Sequence, residues 1–184
     1  MGLFSGLFSK KENNQEQKPQ EPKQERIFFD DEYCRFYYLN NPNSDEFGYE
    51  GEIVPQDADS DLDTVGVYLD TDSPDTTEAT KCYAMFKETM ADMDRFDFEM
   101  KKLIADYCLF KPELTDGKST QQQLIDSMFF YWMGFFRNGN IELSIDSRGE
   151  HGFYASSVHL TLKSDGSKEI QIEGYYGETR TDKL

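Results

Sequence analysis

The sequence lacks the motifs that mark common cofactor and nucleotide sites. It contains no glycine-rich phosphate loop, no Walker motif and no dinucleotide-binding fingerprint. Its three cysteines, Cys34, Cys82 and Cys108, are far apart and form no CxxC pair, which excludes a zinc ribbon. Cys82 and Cys108 fall in helical apolar patterns and Cys34 in a strand pattern. We therefore predict buried free thiols, as in proteins of the reducing cytoplasm.

Histidine is also scarce. His151 and His159 are the only two, and no cysteine or pair of carboxylates accompanies them in the sequence. We predict no metal site and no cofactor. Ser156, Ser157 and Asp165 lie nearby, but without a nucleophile elbow or the spacing of a catalytic triad. The sequence thus favours a protein that is not an enzyme, and an enzyme or metal protein that uses His159 is the third of three hypotheses.

No stretch of the sequence is long and apolar enough to predict a membrane span, and none resembles a signal peptide. Residues 1–9 are apolar and place four side chains on one helical face, namely Leu3, Phe4, Leu7 and Phe8. This pattern is typical of a flexible start or of a two-turn helix that docks weakly, through residues 1–11, on a membrane or a partner. The polar composition of residues 10–26 predicts a disordered linker.

Positive charge is missing from the middle of the chain. The net charge is −17, and residues 30–99 hold twenty acids and only four bases. Contact with nucleic acid is disfavoured, because phosphate binding requires Lys and Arg. A basic protein would be attracted instead, although the same acidity also serves solubility. The candidate partner-binding residues are Asp57, Asp59, Asp61, Asp63, Asp70 and Asp72.

The spacing of Asp57, Asp59, Asp61 and Asp63 is similar to that of a calcium loop. The match then fails, because the sixth position of the loop is Leu62 instead of glycine and the twelfth is Tyr68 instead of glutamate. We therefore interpret this stretch as a solvated acidic loop or as a negative surface for a cationic partner.

Aromatic residues are plentiful, at 15% of the sequence, and much of the chain alternates between apolar and polar residues. Four antiparallel strands are predicted near the C-terminus, at 129–137, 140–146, 153–163 and 168–175. Asn138-Gly139 and Asp165-Gly166 predict tight turns between them. His159 falls on the polar side of its strand.

Upstream of these strands the pattern changes twice. Alternating segments at 27–29, 33–39, 47–54 and 64–69 predict an N-terminal antiparallel meander. Periodic apolar residues then predict helices at 73–90, 94–109 and about 122–128. The fold class is α+β, with the meander, two to three helices and a C-terminal four-stranded antiparallel sheet. One domain spans 27–176, after the N-terminal segment 1–26 and before a polar tail at 177–184.

The densest aromatic run covers residues 129–136, FFYWMGFF. Stacking on nucleic-acid bases would need cations around it, and only Arg137 is near. The run predicts a central strand buried on both faces. If part of it lies on an exposed face, it would be an interface hot spot.

A short set of motifs supports a family resemblance. They are Lys102–Tyr107, Leu124–Met128, Asn140–Leu143, Val158–Leu162, Asp165-Gly166 and Ile170–Gly174. Over residues 60–175 this outline resembles uncharacterised bacterial domain families, some of which occur beside toxins in polymorphic-toxin loci. The resemblance implies an immunity-like protein.

Three functions are compatible with the sequence. The first is a non-enzymatic, cytoplasmic, immunity-like protein whose acidic surface, from Asp57 to Asp75, covers a basic partner. The second is a peripheral membrane or scaffold-associated protein that docks by its N-terminal segment. The third is the His159 enzyme. The sequence does not determine the oligomeric state.

Overall fold

A computed structural model describes residues 27–40, 47–54, 64–73 and 76–184. Its centre is a mixed sheet in which nine strands lie side by side in the order of the sequence. The strands are β1 (Phe28–Asp30), β2 (Arg35–Asn40), β3 (Phe47–Ile53), β4 (Val65–Asp70), β5 (Met128–Phe135), β6 (Ile141–Ser147), β7 (Ser157–Leu162), β8 (Lys168–Glu173) and β9 (Thr179–Lys183).

One pair of neighbours in this sheet is parallel. All other neighbours are antiparallel, whereas β4 and β5 run in the same direction, with Val67 opposite Met133. Parallel neighbours cannot be joined by a tight turn, so the chain needs a long crossover between them. That crossover supplies all the helices among the described residues, α1 (Thr76–Met90), α2 (Met93–Phe110) and α3 (Gln121–Ser127), and a 3₁₀ turn (Pro112–Leu114).

The third helix begins at Gln121, close to the predicted start at about residue 122. Thr120 accepts a hydrogen bond from the backbone N–H of Gln123, and the Gln123 side chain accepts one from the backbone N–H of Thr120. This capping box satisfies two amides that the first turn leaves without partners. None of the described helices is long and apolar enough to cross a membrane.

The helices cover one face of the sheet, which we call the covered face. Phe86 of α1 packs edge-on against Phe36 of β2 and Phe135 of β5, and all three rings are fully buried. The same face carries the buried aliphatic side chains of the later strands, Leu143, Ile145, Val158, Leu160 and Ile170. Alternation along each strand therefore places one set of side chains under the helices and leaves the other set on the opposite face.

A β-bulge in β5 changes this alternation. Phe130 is opposite Ile145 of β6, while the next paired residue, Trp132, is opposite Ser144, and Tyr131 is the extra residue between them. A bulge shifts the facing of every residue that follows it. Phe130 and Met133 consequently both reach the core, and Trp132 lies on the opposite face.

These observations confirm the α+β class and correct three details. The predicted four-stranded C-terminal sheet is part of the larger sheet, because β5 pairs with β4 of the meander. The strand predicted from Phe153 begins only at Ser157. Residues 177–184, predicted as a polar tail after the domain, include a fifth C-terminal strand, because Thr179–Lys183 pair with β8. Polar side chains suit this position because β9 is an exposed edge.

Candidate functional site

The face opposite the helices is the candidate site, and we call it the open face. Among the described residues, no helix packs against it. Strand pairing places one continuous row across its middle, formed by Tyr37, Glu50, Tyr68, Gly134, Glu142 and Thr161. A sheet face with this mixture of aromatic and charged side chains is a candidate binding surface.

Three aromatic rings form the centre of the open face, and we call them the aromatic floor (Tyr68, Trp132 and Phe136). Tyr68 and Trp132 are stacked with ring centroids 6.4 Å apart and planes 21° apart. Phe136 packs obliquely against both, at 5.9 Å from Tyr68 and 6.4 Å from Trp132. The Tyr68 hydroxyl donates a hydrogen bond to the Phe47 carbonyl at 2.6 Å. These contacts hold the rings in defined positions.

Glycines in the strands allow these rings to lie against the sheet. A Cβ atom added to Gly134 would clash with the six-membered ring of Trp132, and one added to Gly66 would lie 3.2 Å from Trp132 Cδ1. At Gly48 it would lie 2.5 Å from the Tyr68 ring. Glycine inside a strand commonly marks such a close approach to the backbone. Trp132 is half-buried, because the sheet covers one part of it only.

Two cavities lie on either side of Trp132. The first has a volume of about 550 Å³ and lies over β2, β3 and β4, with Tyr37, Glu50, Glu52 and Gly66 in its lining. The second has a volume of about 370 Å³ and is lined by Glu142, Ser144, His159, Thr161, Glu169 and Gln171. Both volumes are in the range of small-ligand sites. Trp132 lines both cavities, so a ligand in either one would contact its indole.

Glu142 is the unusual charge in the second cavity. Its side chain is half-buried, and burial raises the pKa of its carboxyl, while nearby His159 has the opposite effect. Within the described ranges, no hydrogen bond or ion pair to the carboxylate is found. A carboxylate that is partly removed from water without a partner costs stability, unless a ligand supplies the missing positive charge.

His159 lies on the open face, as its strand pattern predicts, and both of its ring nitrogens are engaged. Nδ1 is 2.9 Å from Ser144 Oγ, and Nε2 is 3.1 Å from Ser157 Oγ and 3.7 Å from a Glu173 carboxylate oxygen. Ser144, His159 and Glu173 thus have the order of a catalytic triad. Ser144, however, lies inside β6, which is paired on both sides, so the neighbouring amides are used by the sheet and are not free to stabilise an oxyanion.

The sequence-predicted acidic residues divide into two groups. Asp57, Asp59, Asp61 and Asp63 lie outside the described residues, as do the docking candidates Leu3, Phe4, Leu7 and Phe8. Asp70 and Asp72 are described, and both pair with Arg137, Asp70 at 3.0 Å from its Nε. They stand at the end of β4 that is remote from Thr64, where the chain leaves the 57–63 stretch.

The remaining nucleophiles and metal ligands are not placed for chemistry. Burial raises the pKa of Cys82 to about 11 and that of Cys108 to about 12, so both thiols stay protonated at neutral pH. Cys34 is half-buried in the turn before β2, not in the predicted strand. Within the part of the chain that is described, no three side chains of His, Cys, Asp and Glu are grouped closely enough to hold a metal ion.

Sequence reasoning missed Glu50, Glu52 and Glu142 as site residues and treated Trp132 mainly as core. Their alternation with apolar neighbours is visible in the sequence, but it shows only that they share a face. The facing of Trp132 depends on the bulge, and no residue type in 129–136 marks the bulge.

Comparison with known proteins adds no assignment. No protein-family model, no curated protein and no solved structure matches this chain.

Proposed function

We propose that the protein is a non-enzymatic binding protein that engages a basic protein partner through an acidic surface, and that the open face belongs to this surface. The observation that supports the proposal is the excess of carboxylates on a face that no described helix covers. The strand register and the side-chain contacts place there the acids Asp30, Glu50, Glu52, Asp70, Glu142, Asp146, Glu169 and Glu173, against the bases Arg35, Arg137, Arg148, Lys163 and Lys183.

The basic side chains on this face are largely occupied. Arg35 pairs with Asp30 at 2.5 Å, and Lys163 pairs with Glu169 at 2.7 Å. Positive charge within the face therefore does not compensate Glu52 and Glu142. A partner with exposed Lys and Arg is attracted to such a surface, whereas nucleic acid and anionic membranes are repelled.

The acidic stretch from Asp57 to Asp63 belongs to the same proposal. It joins β3 to β4, and the flanking residues Val54 and Thr64 stand at the end of the open face that carries Glu52. A basic partner bound near Glu52 is therefore close to Val54 and Thr64, between which this stretch stands in the sequence. In the immunity-like form of this function, which the family resemblance implies, the partner is a toxin whose basic active-site surface is covered.

Affinity capture of the tagged full-length protein from its native cells, at low and at high salt, tests this function. Three proteins are compared: the parent, an open-face variant with Glu50→Gln, Glu52→Gln and Glu142→Gln, and a matched control. The control removes the same charge from the exposed helical side, with Glu88→Gln, Asp92→Asn and Asp94→Asn. We expect one basic protein to be captured by the parent and the control and to be released as salt rises.

The open-face variant should capture at least about tenfold less of that protein, because loss of several facing charges slows association and weakens the complex. Equal capture by all three proteins would show that the open face takes no part. If no basic protein is captured at either salt concentration, the acidity serves solubility and the proposed function is wrong.

A further inference from the structure

The two cavities beside Trp132 resemble each other in chemistry. Each combines the indole with at least one glutamate, Glu52 on one side and Glu142 on the other. An aromatic face next to a carboxylate is the combination that recognises an organic cation, through cation–π attraction and a charge-assisted hydrogen bond. The other ligand classes fit less well, since anions meet like charge and apolar ligands meet polar walls.

We propose that the two cavities beside Trp132, together called the trough, bind arginine side chains over the exposed face of the indole, one guanidinium towards Glu52 and one towards Glu142. The proposal rests on the proposed function, because it names the groups of the basic partner that the open face receives. Arginine is preferred to lysine because the planar guanidinium stacks on an aromatic ring and bonds a carboxylate with two parallel hydrogen bonds.

Three observations carry this inference. Gly66 and Gly134 have no side chains, so the indole lies against their backbone. Its other face is therefore available to a ligand. Glu142 is half-buried beside the aromatic floor without a partner among the described residues. The basic side chain at the edge of the first cavity, Arg35, is held by Asp30. The trough is therefore preformed and acidic, and the arginine that lines its first cavity is already engaged.

The distance between Glu52 and Glu142 can be spanned by two arginine side chains of one short peptide segment. Glu52 and Glu142 belong to β3 and β6, which are three strand spacings apart. At about 4.8 Å a spacing, this is roughly 14 Å across the sheet. Two residues of an extended peptide span about 7 Å, and their two long side chains can cover the rest of the distance between the two glutamates.

Trp132 is the only tryptophan in the chain, so its fluorescence reports on this site alone. The experiment titrates the full-length protein with a capped tetra-arginine peptide and, in parallel, with capped tetra-lysine, at physiological salt. We expect a saturable change in Trp132 emission with both peptides and at least about threefold tighter binding of tetra-arginine.

Two variants separate the trough from general attraction to an acidic protein. Glu142→Gln should weaken tetra-arginine binding about tenfold, since it removes a charged hydrogen-bond acceptor. Glu88→Gln on α1 removes the same charge away from the open face and should change the affinity less than about twofold. Equal affinity of the parent and Glu142→Gln, or binding without any change in Trp132 emission, would overturn the proposal.

A measurement on the unchanged protein covers the case in which Glu142→Gln does not fold. Cationic caesium should quench Trp132 more than anionic iodide does, once each is compared with neutral acrylamide. Bound tetra-arginine should protect Trp132 from acrylamide. Iodide quenching as strong as that of caesium, or no protection, would argue against the site.

The outcomes distinguish this inference from the proposed function. Capture of a basic partner together with failure of the peptide titrations would leave the function standing and remove the arginine trough. Peptide binding at Trp132 without a captured basic protein would leave the trough standing and remove the proposed function.

Discussion

The covered face and the open face are formed by alternate residues of the same strands, yet they have opposite character. Phe135, the last residue of β5, is fully buried under α1, whereas Phe136, the next residue, is only half-buried on the open face. On β6, Leu143 and Ile145 alternate with Glu142 and Ser144. The covered face has the composition of a core, and the open face combines rings with carboxylates.

The two faces make different contributions to the free energy of folding. Burial of apolar side chains between helices and sheet supplies most of the stability. The half-buried carboxylate of Glu142 lowers stability, and the outer parts of the aromatic rings remain in contact with water. Such features are understandable if they contribute to the binding of a partner instead of to folding.

The largest expected loss of stability comes from a substitution on the covered face. Phe135→Ala should lower the free energy of unfolding by about 3–5 kcal/mol, because it leaves a cavity among Phe86 and its neighbours. Phe136→Ala, on the residue next to it, should cost less than about 2 kcal/mol, since part of this side chain is already exposed to water. Urea denaturation of the two variants measures this comparison. Equal losses would mean that the two faces contribute equally to stability.

A smaller loss of stability is expected from substitutions at the glycines under Trp132, where the open face is packed most closely. Gly134→Ala places a methyl group against the Trp132 ring and should cost about 1–3 kcal/mol while it shifts the emission of Trp132. Gly66→Ala, under the same indole, meets its nearest atom at 3.2 Å and should cost less than about 1 kcal/mol. Unchanged emission in Gly134→Ala would show that the indole does not lie on this glycine.

The smallest effect concerns Glu142 and depends on pH. Burial raises the pKa of this carboxyl in the folded protein, so the folded protein binds the proton more tightly than the unfolded chain does. Its unfavourable contribution is therefore absent below the unfolded pKa, about 4.3, and complete above the folded pKa. We expect Glu142→Gln to be more stable than the parent at neutral pH.

Denaturation at a series of pH values measures this effect, and the difference should disappear as the pH falls through that window. Glu88→Gln, which removes the same charge from an exposed position on α1, corrects for the change in net charge. A Glu142→Gln variant that is less stable than the parent at neutral pH would reveal a favourable contact of the carboxylate.

Much of the fold could be predicted from the sequence because the patterns are local. Alternation and turn residues located β2 to β8, and Gly139 and Gly166 both have the positive φ that their turns require. Apolar periodicity located α3 to within a residue or so of its start at Gln121. β9 was missed, since its polar residues carry no apolar alternation, and it was recognisable only by its pairing with β8.

The site was less predictable than the fold. The sequence by itself determined that the protein is acidic, that Trp132 lies in a central strand and that Glu142 and His159 share the polar sides of their strands. Only the tertiary structure decided that β4 pairs with β5 and that a bulge turns Trp132 away from the core. Strand order and bulges depend on contacts between distant residues, and no local pattern records them.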